Sequence, residues 1–232
     1  MAININTVYS KVLTISNKEQ RGYITPQEFN LLASRAQNEI FENYFYKVKN
    51  AEQKPKNQMD YADEVEMLEE KLHPFYVQTV VSQSADDSTL ALPTATHKLI
   101  DIVYLNGNKL TQVNKSEITY IENNPLTKAT KLRSTFVRQS SGIVVIYPTP
   151  TVDTDFQVIY YKKPITPSWG YVVVNEKALY NSNASTDFEL HASEEESLIS
   201  RILILSGTTI KQPDLQQAGA QDIQLINQQQ NS

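Results

Sequence analysis

The stretch SGIVVIYPTPTVDTDFQVIYYKKP, residues 141–164, decides the fold class of this 232-residue chain. It contains two runs rich in Val, Ile, Phe and Tyr, Ile143–Tyr147 and Phe156–Tyr161, which are typical of β-strands. A Pro-Thr-Pro turn and a short acidic loop, Asp153 to Asp155, lie between the two runs. We therefore expect a hairpin of two strands here, in a region that carries no recognisable catalytic motif.

Helical patterns precede this β region. The clearest start signal is Thr25-Pro26 followed by Glu28, a capping box with proline at the first helical position. The helix that follows carries one apolar stripe, formed by Phe29, Leu32, Ala36, Ile40, Tyr44 and Val48. Asn4–Ile15 and Asp60–Leu72 also show helical spacing of apolar residues, so they predict two further helices.

The middle of the chain carries more strand signals. Asn106-Gly107 stands between two apolar runs, Leu99–Leu105 and Asn108–Val113, and this dipeptide favours the positive φ angles of a tight hairpin turn. Phe75–Val81 and Tyr171–Val174 predict further strands.

The C-terminal part returns to helical spacing. Ser193 and Glu196 predict a second capping box. The inner face of the helix that follows is formed by Leu198, Ile199, Ile202, Leu203 and Leu205. We expect another helix to begin at Pro213, where proline suits the first helical position.

Helices therefore come first along the chain, strands lie in the middle, and helices return at the end. This order predicts an α+β fold, a helical bundle built from both chain ends with a central, mostly antiparallel β subdomain. The predicted divisions are an N-terminal helical part, residues 1–74, a β-rich inserted subdomain, residues 75–175, and C-terminal helices, residues 176–232, that complete the bundle.

Composition narrows the classes of function. The formal net charge is −5, which argues against a dedicated reader of duplex DNA, because such proteins present a basic surface. The chain has no cysteine, which excludes a disulfide framework, a thiolate metal site and a thiol nucleophile. No apolar run approaches the roughly 20 residues of a membrane span, and no signal peptide is apparent, so we expect no membrane association.

Motifs for chemistry are missing from the sequence. The three histidines, His73, His97 and His191, lie far apart and have no ligand-spaced partners. Phosphate-binding glycine loops and the G-x-S-x-G motif do not occur. We therefore expect no catalytic residue, no cofactor and no metal. A hydrolase that uses two carboxylates is kept as an alternative, because such a pair needs only to be close in space.

The aromatic residues permit two interpretations. Thirteen tyrosines and one tryptophan could form a face that stacks on sugars or bases, or they could serve in packing and interfaces. We favour packing and interface contacts, because large rings are ordinary on strands. The candidate interface residues are Phe29, Ile40, Phe41, Phe45, Tyr147, Tyr160, Tyr161 and Trp169.

Three stretches resemble structural proteins of tailed phages. The opening, TVYSKVLTISNKEQRGYITPQEFNLLASRAQNEIFENYF, resembles their N-terminal helical region. KLIDIVYLNGNKL and GIVVIYPTPTVDTDFQVIYYKKP resemble the pattern of head-to-tail adaptor proteins, in which a hairpin and a helical turn precede two strands and an aromatic-Lys-Pro exit. The tail tubular proteins of short-tailed phages and the neck ring proteins of crAss-like phages are the families that this pattern is similar to.

The resemblance implies a virion protein, assembled in the bacterial host cytoplasm, that forms a dodecameric ring below the portal. Its partners would be other copies, the portal protein and other neck or tail proteins, and DNA would pass through without specific binding. The family has no active site to carry over. An acidic chain agrees with a channel that does not retain DNA. The alternative is an aromatic β module that binds carbohydrate or a receptor, as in a fibre or head-associated protein.

Overall fold

The two ends of the chain form helices, and most of the strands lie between them. The computed structural model describes residues 3–17, 24–53, 59–85, 87–105, 107–210, 220–221 and 223–225. The helices are α1 (Ile5–Asn17), α2 (Pro26–Gln53), α3 (Met59–Leu72), α4 (Ile118–Asn123) and α5 (Glu195–Ile210). The strands are β1 (Tyr76–Gln83), β2 (Thr89–Ala91), β3 (Thr96–Tyr104), β4 (Thr111–Gln112), β5 (Thr135–Arg138), β6 (Ile143–Tyr147), β7 (Thr154–Lys162), β8 (Tyr171–Val174) and β9 (Lys177–Tyr180). The predicted α+β fold is confirmed.

The helical bundle is built from both chain ends, as predicted. Helices α1 and α2 pack with α5, and α3 packs with α2. Ile3 forms an antiparallel bridge with Phe188, in which the Phe188 N–H donates to the Ile3 carbonyl oxygen at 3.1 Å. The Asp187 carboxylate accepts a hydrogen bond of 2.9 Å from the Ile5 N–H. The C-terminal part of the chain thereby satisfies a backbone donor in the first turn of α1.

The start of α2 confirms the predicted capping box. The Glu28 N–H donates to Thr25 Oγ1 at 3.3 Å, and the Glu28 carboxylate accepts from the Thr25 N–H at 3.0 Å. The Thr25 hydroxyl also donates to this carboxylate, and these hydrogen bonds lower the pKa of Glu28. Most of the predicted stripe of α2 is buried, namely Phe29, Ala36, Ile40 and Tyr44.

The start of α5 differs from the prediction. Ser193 is not the cap, because a short 3-10 turn, Ala192–Glu194, precedes the helix. His191 Nδ1 instead accepts from the Ser193 N–H at 3.3 Å, two residues upstream of the predicted cap. Glu196 pairs with Lys11 of α1 at 3.3 Å and so links the two chain ends.

Two of the three other predicted terminal helices lie within the described residues. The helices expected at Asn4–Ile15 and Asp60–Leu72 are confirmed, with bounds Ile5–Asn17 and Met59–Leu72. Most of the helix expected after Pro213 lies outside the described residues, which resume with helical residues at 220–221 and 223–225.

The strands β1 to β7 form two sheets with a shared core. One sheet has the order β1-β7-β3 and is antiparallel throughout, and the other has the order β2-β6-β5-β4, in which β4 and β5 run parallel. Apolar side chains from both sheets form one buried cluster, which includes Leu90, Ile102, Phe136, Ile146 and Phe156. The central subdomain is therefore mostly antiparallel, as expected.

The two strands of the 141–164 stretch are present, but the predicted hairpin between them is wrong. β6 pairs with β2 and β5, whereas β7 lies between β1 and β3 in the other sheet. The acidic residues after the prolines bond to the β1 side. Asp155 accepts from Ser82 Oγ at 2.6 Å, and Asp153 accepts from the Ala85 N–H at 2.8 Å.

The turn at Gly107 forms, but the predicted hairpin around it is short. The Gly107 N–H donates to the Tyr104 carbonyl oxygen at 2.8 Å, and Gly107 has a φ of 94°. The chain after this turn soon leaves β3, and Thr111–Gln112 pairs in parallel with β5 instead. Asn106 itself lies outside the described residues.

The chain divides into two compact units. One contains residues 1–74 and 164–232, and the other contains residues 75–163. We call them the helical unit and the β unit. The predicted insertion extended to residue 175, whereas residues 164–175 group with the helices, because Trp169 packs against Tyr9 of α1.

A buried ion pair joins the end of α3 to the start of α5. Lys71 Nζ lies 2.7 Å from the Glu194 carboxylate, and the two side chains are only 15% and 6% exposed. The same region holds the buried Tyr44 hydroxyl, and burial raises the pKa of Tyr44, with the Glu194 charge adding to the increase. A buried carboxylate is costly without a compensating charge, so Glu194 depends on Lys71.

Replacing Lys71 should therefore destabilise the helical unit. We expect Lys71→Met to lower the free energy of unfolding by about 3 kcal/mol, because Glu194 is left charged and buried. The double variant Lys71→Met/Glu194→Gln should recover most of this loss. Urea unfolding followed by circular dichroism measures the free energy of unfolding of the single and double variants. Lys49→Met, at an exposed position of α2, is the control. Equal losses in the single and double variants would contradict the ion-pair role.

Candidate interface surfaces

Trp169 fixes the point where the chain re-enters the helical unit. Its backbone N–H donates to Asn30 Oδ1 at 2.7 Å, and its carbonyl oxygen accepts from Asn30 Nδ2 at 3.3 Å. The indole N–H donates to Asn6 Oδ1 at 3.1 Å, and the ring centroid lies 4.3 Å from that of Tyr9. α1, α2 and the segment before β8 are therefore held together at one buried side chain.

The root of the β8–β9 hairpin is tightly closed. A Cβ added to Gly170 would lie 2.5 Å from the backbone carbonyl of Ala184, so no larger residue fits without displacement. The Gly170 N–H donates to Ser185 Oγ at 3.0 Å, and its carbonyl oxygen accepts from the Asn181 N–H at 2.9 Å. Every backbone polar group of Gly170 is thus satisfied, and the hairpin starts from a fixed position.

The hairpin itself exposes apolar side chains on both faces. Val172 and Leu179 lie opposite each other on one face, and Val173 lies on the other. All three are at least half exposed, with Val173 at 63%. Asn175 and Glu176 have positive φ angles of 49° and 63°, which suit a tight two-residue turn.

No third strand among the described residues pairs with β8 or β9, which form a two-stranded sheet. An isolated two-stranded hairpin is only marginally stable in water, and open apolar edges invite pairing with another chain. The hairpin is therefore a candidate contact arm of the helical unit.

A second exposed surface lies in the β unit, on the segment between β4 and β5. We call residues 114–133, which include α4, the 114–133 loop. Tyr120, Leu126 and Leu132 are 80%, 83% and 85% exposed, whereas Ala129 is buried. Large apolar side chains with this exposure on one loop mark it as a candidate interaction site.

Hydrogen bonds order this loop in place of an apolar core. The Arg133 guanidinium donates to the carbonyl oxygen of Leu126 at 2.8 Å. Thr127 Oγ1 donates to the Ile121 carbonyl oxygen at 3.2 Å, and the Glu122 carboxylate accepts from the Ala129 N–H at 3.3 Å. These contacts hold the loop in a defined conformation.

A groove of about 750 Å³ runs along α2 in the helical unit. It is open to solvent and lined by Ser34, Arg35, Asn38, Glu39, Glu42, Asn43, Tyr46 and Arg201. Arg35 pairs with Glu39 at 2.9 Å, and Arg201 approaches the same carboxylate at 3.7 Å. Both of its arginines are thus paired with the same carboxylate, Glu39.

Most of the predicted interface residues lie inside the chain itself. The buried ones are Phe29, Ile40, Phe41, Tyr160 and Trp169. Phe45, Tyr147 and Tyr161 are half-buried. The buried five serve intramolecular packing and leave little surface for a partner, because the helices and sheets that cover them are part of the same chain.

The exposed surfaces were not among the predicted interface residues. Tyr171–Val174 is a predicted strand, and the Asn-Glu pair that follows it is a turn signal in the sequence. The 114–133 loop carries a signal for a helical turn, Ser116 to Glu122 ended by Asn123-Asn124-Pro125, but its polar residues predict an ordinary solvated loop. Exposure of Leu126 and Leu132 follows from their place in the fold alone.

The described residues offer little for catalysis. They contain no group of three or more His, Asp or Glu side chains placed to hold a metal ion. His191 caps the turn before α5, while His73 and His97 are exposed. The carboxylates Asp153, Asp155 and Glu28 bond to backbone and hydroxyl groups, which is a structural role.

Comparisons with known proteins add no identification. No protein-family model matches the chain, and no curated protein matches it either. Across the part of the chain that the structure describes, no helix combines the length and the apolar character that a membrane crossing requires.

Gly170→Ala should loosen the hairpin root. We expect it to lower the free energy of unfolding by about 1–3 kcal/mol, because the new methyl group must displace the Ala184 backbone. Amide hydrogen exchange should also speed up in β8 and β9.

The matched control is Gly142→Ala. A Cβ at Gly142 meets no atom within 4 Å, so this variant should keep the stability of the native chain or exceed it slightly. Equal stability of the two variants, with unchanged exchange in the hairpin, would contradict a closed root at Gly170.

Proposed function

We propose that this chain is a structural subunit of a tailed-phage neck. Copies of it form a ring, dodecameric as the resemblance implies, that connects the portal to the tail and lets DNA pass. The ring contacts the portal protein and other neck or tail proteins. It is assembled in the host cytoplasm and carried in the virion, and it performs no catalytic step.

The observation that carries this proposal is the presence of two different apolar surfaces. The helical unit exposes the β8–β9 hairpin, and the β unit exposes the 114–133 loop. A ring subunit needs two different faces, because each copy contacts its neighbours through unlike surfaces. Exposed apolar side chains on two separate elements supply candidates for both faces.

The distribution of charge supports the same proposal. The helical unit contains 12 Lys and Arg against 19 Asp and Glu, whereas the β unit contains 9 against 7. Opposite net charges on the two units favour head-to-tail contacts between copies. The net acidic charge of the chain as a whole suits a channel that DNA crosses. Basic proteins retain DNA by releasing the counterions of its phosphates, and an acidic chain does not.

The aromatic residues singled out in the sequence do not favour the carbohydrate-binding alternative. A sugar-stacking site needs the face of an accessible ring, but Trp169 is 4% exposed and Tyr160 is buried in the β unit. Tyr161 lies on the opposite face of β7 from Tyr160, and its ring packs near Tyr76 at a centroid distance of 6.2 Å. Tyr160 and Tyr161 therefore do not present their rings on one face.

The hairpin provides a direct test of the neck proposal. The double variant Val172→Thr/Val173→Thr keeps side-chain shape and strand propensity but makes the arm polar. We expect its stability to change by less than about 0.5 kcal/mol, because both positions are exposed. Its incorporation into virions should fall severalfold, as measured by quantitative mass spectrometry of purified particles.

Val80→Thr, an exposed valine of β1, is the matched control and should enter virions at the native level. Light scattering after size exclusion follows the free protein in parallel. A native chain that stays monomeric and never enters virions would remove the neck proposal. Native incorporation of the hairpin variant would remove only the contact role of the arm.

A further inference from the structure

The 114–133 loop combines exposed apolar side chains with a basic edge. Its cations are Lys115, Lys128, Lys131 and Arg133, and its anions are Glu117 and Glu122. The loop therefore carries a net charge of +2, in a chain whose net charge is −5. A partner for it should offer carboxylates and at least one apolar side chain.

Helix α3 of the same chain has this chemistry. The sequence of Met59–Leu72 contains six carboxylates and a single lysine, Lys71, which is engaged with Glu194. Among the described side chains of α3, Glu66, Glu69 and Glu70 are exposed, and Met67 between them is 48% exposed. Leu68 and Leu72 point inward and are buried, so the acidic face is the solvent face.

We propose that the 114–133 loop of one copy docks on the acidic face of α3 of the neighbouring copy. This inference rests on the proposed ring and identifies the surfaces that build it. Leu126, Leu132 and Tyr120 cover Met67, while Lys128 and Lys131 face the α3 carboxylates. Each copy offers one loop and one α3, so the contact is heterologous and propagates around a ring.

The ordered conformation of the loop favours such docking. Arg133 and Thr127 already hold the loop in shape through hydrogen bonds to backbone carbonyls. A surface that is ordered before binding loses less conformational entropy when it meets its partner. Flexible side chains such as Met adapt to an opposing surface, which suits Met67 at the centre of the contact.

Protein is a better occupant than nucleic acid. The most exposed large apolar side chains of the loop are two leucines, which gain nothing from phosphates, and the loop also contains two carboxylates. Sites for single-stranded nucleic acid use several aromatic rings in a positive groove. The loop has one exposed ring, Tyr120.

Disulfide trapping tests the contact, and the chain offers a clean background because it has no cysteine. Leu132→Cys and Met67→Cys are made in separate copies of the full chain, mixed at high concentration and oxidised. We expect a mixed disulfide dimer from the mixture, detected by intact mass. Each variant alone should give at least fivefold less dimer.

The matched control replaces Met67→Cys with Leu31→Cys, an exposed position on α2, and should give no mixed dimer above background. Lys128→Glu/Lys131→Glu in the Leu132→Cys copy should abolish trapping. Glu66→Lys/Glu70→Lys in the Met67→Cys copy should restore it. Arg138→Glu/Lys163→Glu makes the same charge change outside the loop and should leave trapping unchanged.

Three results would overturn the contact. These are the absence of a mixed dimer, equal dimer from Leu132→Cys alone, or binding of fluorescent DNA that Lys128→Glu/Lys131→Glu abolishes. If the chain occupies the neck of virions and no mixed dimer forms, the loop contact fails and the neck function stands. If the mixed dimer forms and virions lack the chain, the neck function fails and the contact stands.

Discussion

The structure depends on the contacts of one buried side chain, Trp169. Its backbone is held by Asn30 of α2, and its ring and indole N–H are held by Tyr9 and Asn6 of α1. The same ring packs against Tyr171 and Tyr180 at the base of the hairpin, with both centroid distances at 5.8 Å. The segment before β8 is thereby fixed against both N-terminal helices. The position of the contact arm within the helical unit follows from it.

Local signals predicted much of the fold. Thr25 and Glu28 lie three residues apart, so their reciprocal hydrogen bonds depend on the sequence nearby. The pairing of β6 and β7 could not be predicted in the same way, because the partner strands of β7 lie far away in sequence. Asp155 of β7, for example, accepts from Ser82 of β1, more than seventy residues away. The predicted cap of α5 was wrong for a local reason. His191 is an uncommon capping residue, and the turn that it caps begins upstream of Ser193.

The candidate surfaces were harder to predict than the fold. Aromatic residues on strands and helices suggest either a core or an interface, and only the tertiary structure separates the two. It buries Trp169 and Phe41 and leaves Val173, Leu126 and Leu132 exposed. The hypothesis that the chain forms interfaces with other copies is therefore retained. The candidate interface residues, however, change from aromatic rings to mainly aliphatic side chains, and the two units differ in net charge.

The ring is the central claim, and electron microscopy of purified virions with symmetry-resolved averaging of the neck tests it most directly. The neck hypothesis predicts one ring of copies of this chain between portal and tail, with the Leu132 side of each copy against Met67 of the next. A neck that contains no copy of the chain, or copies found only on fibres or the head surface, would contradict it.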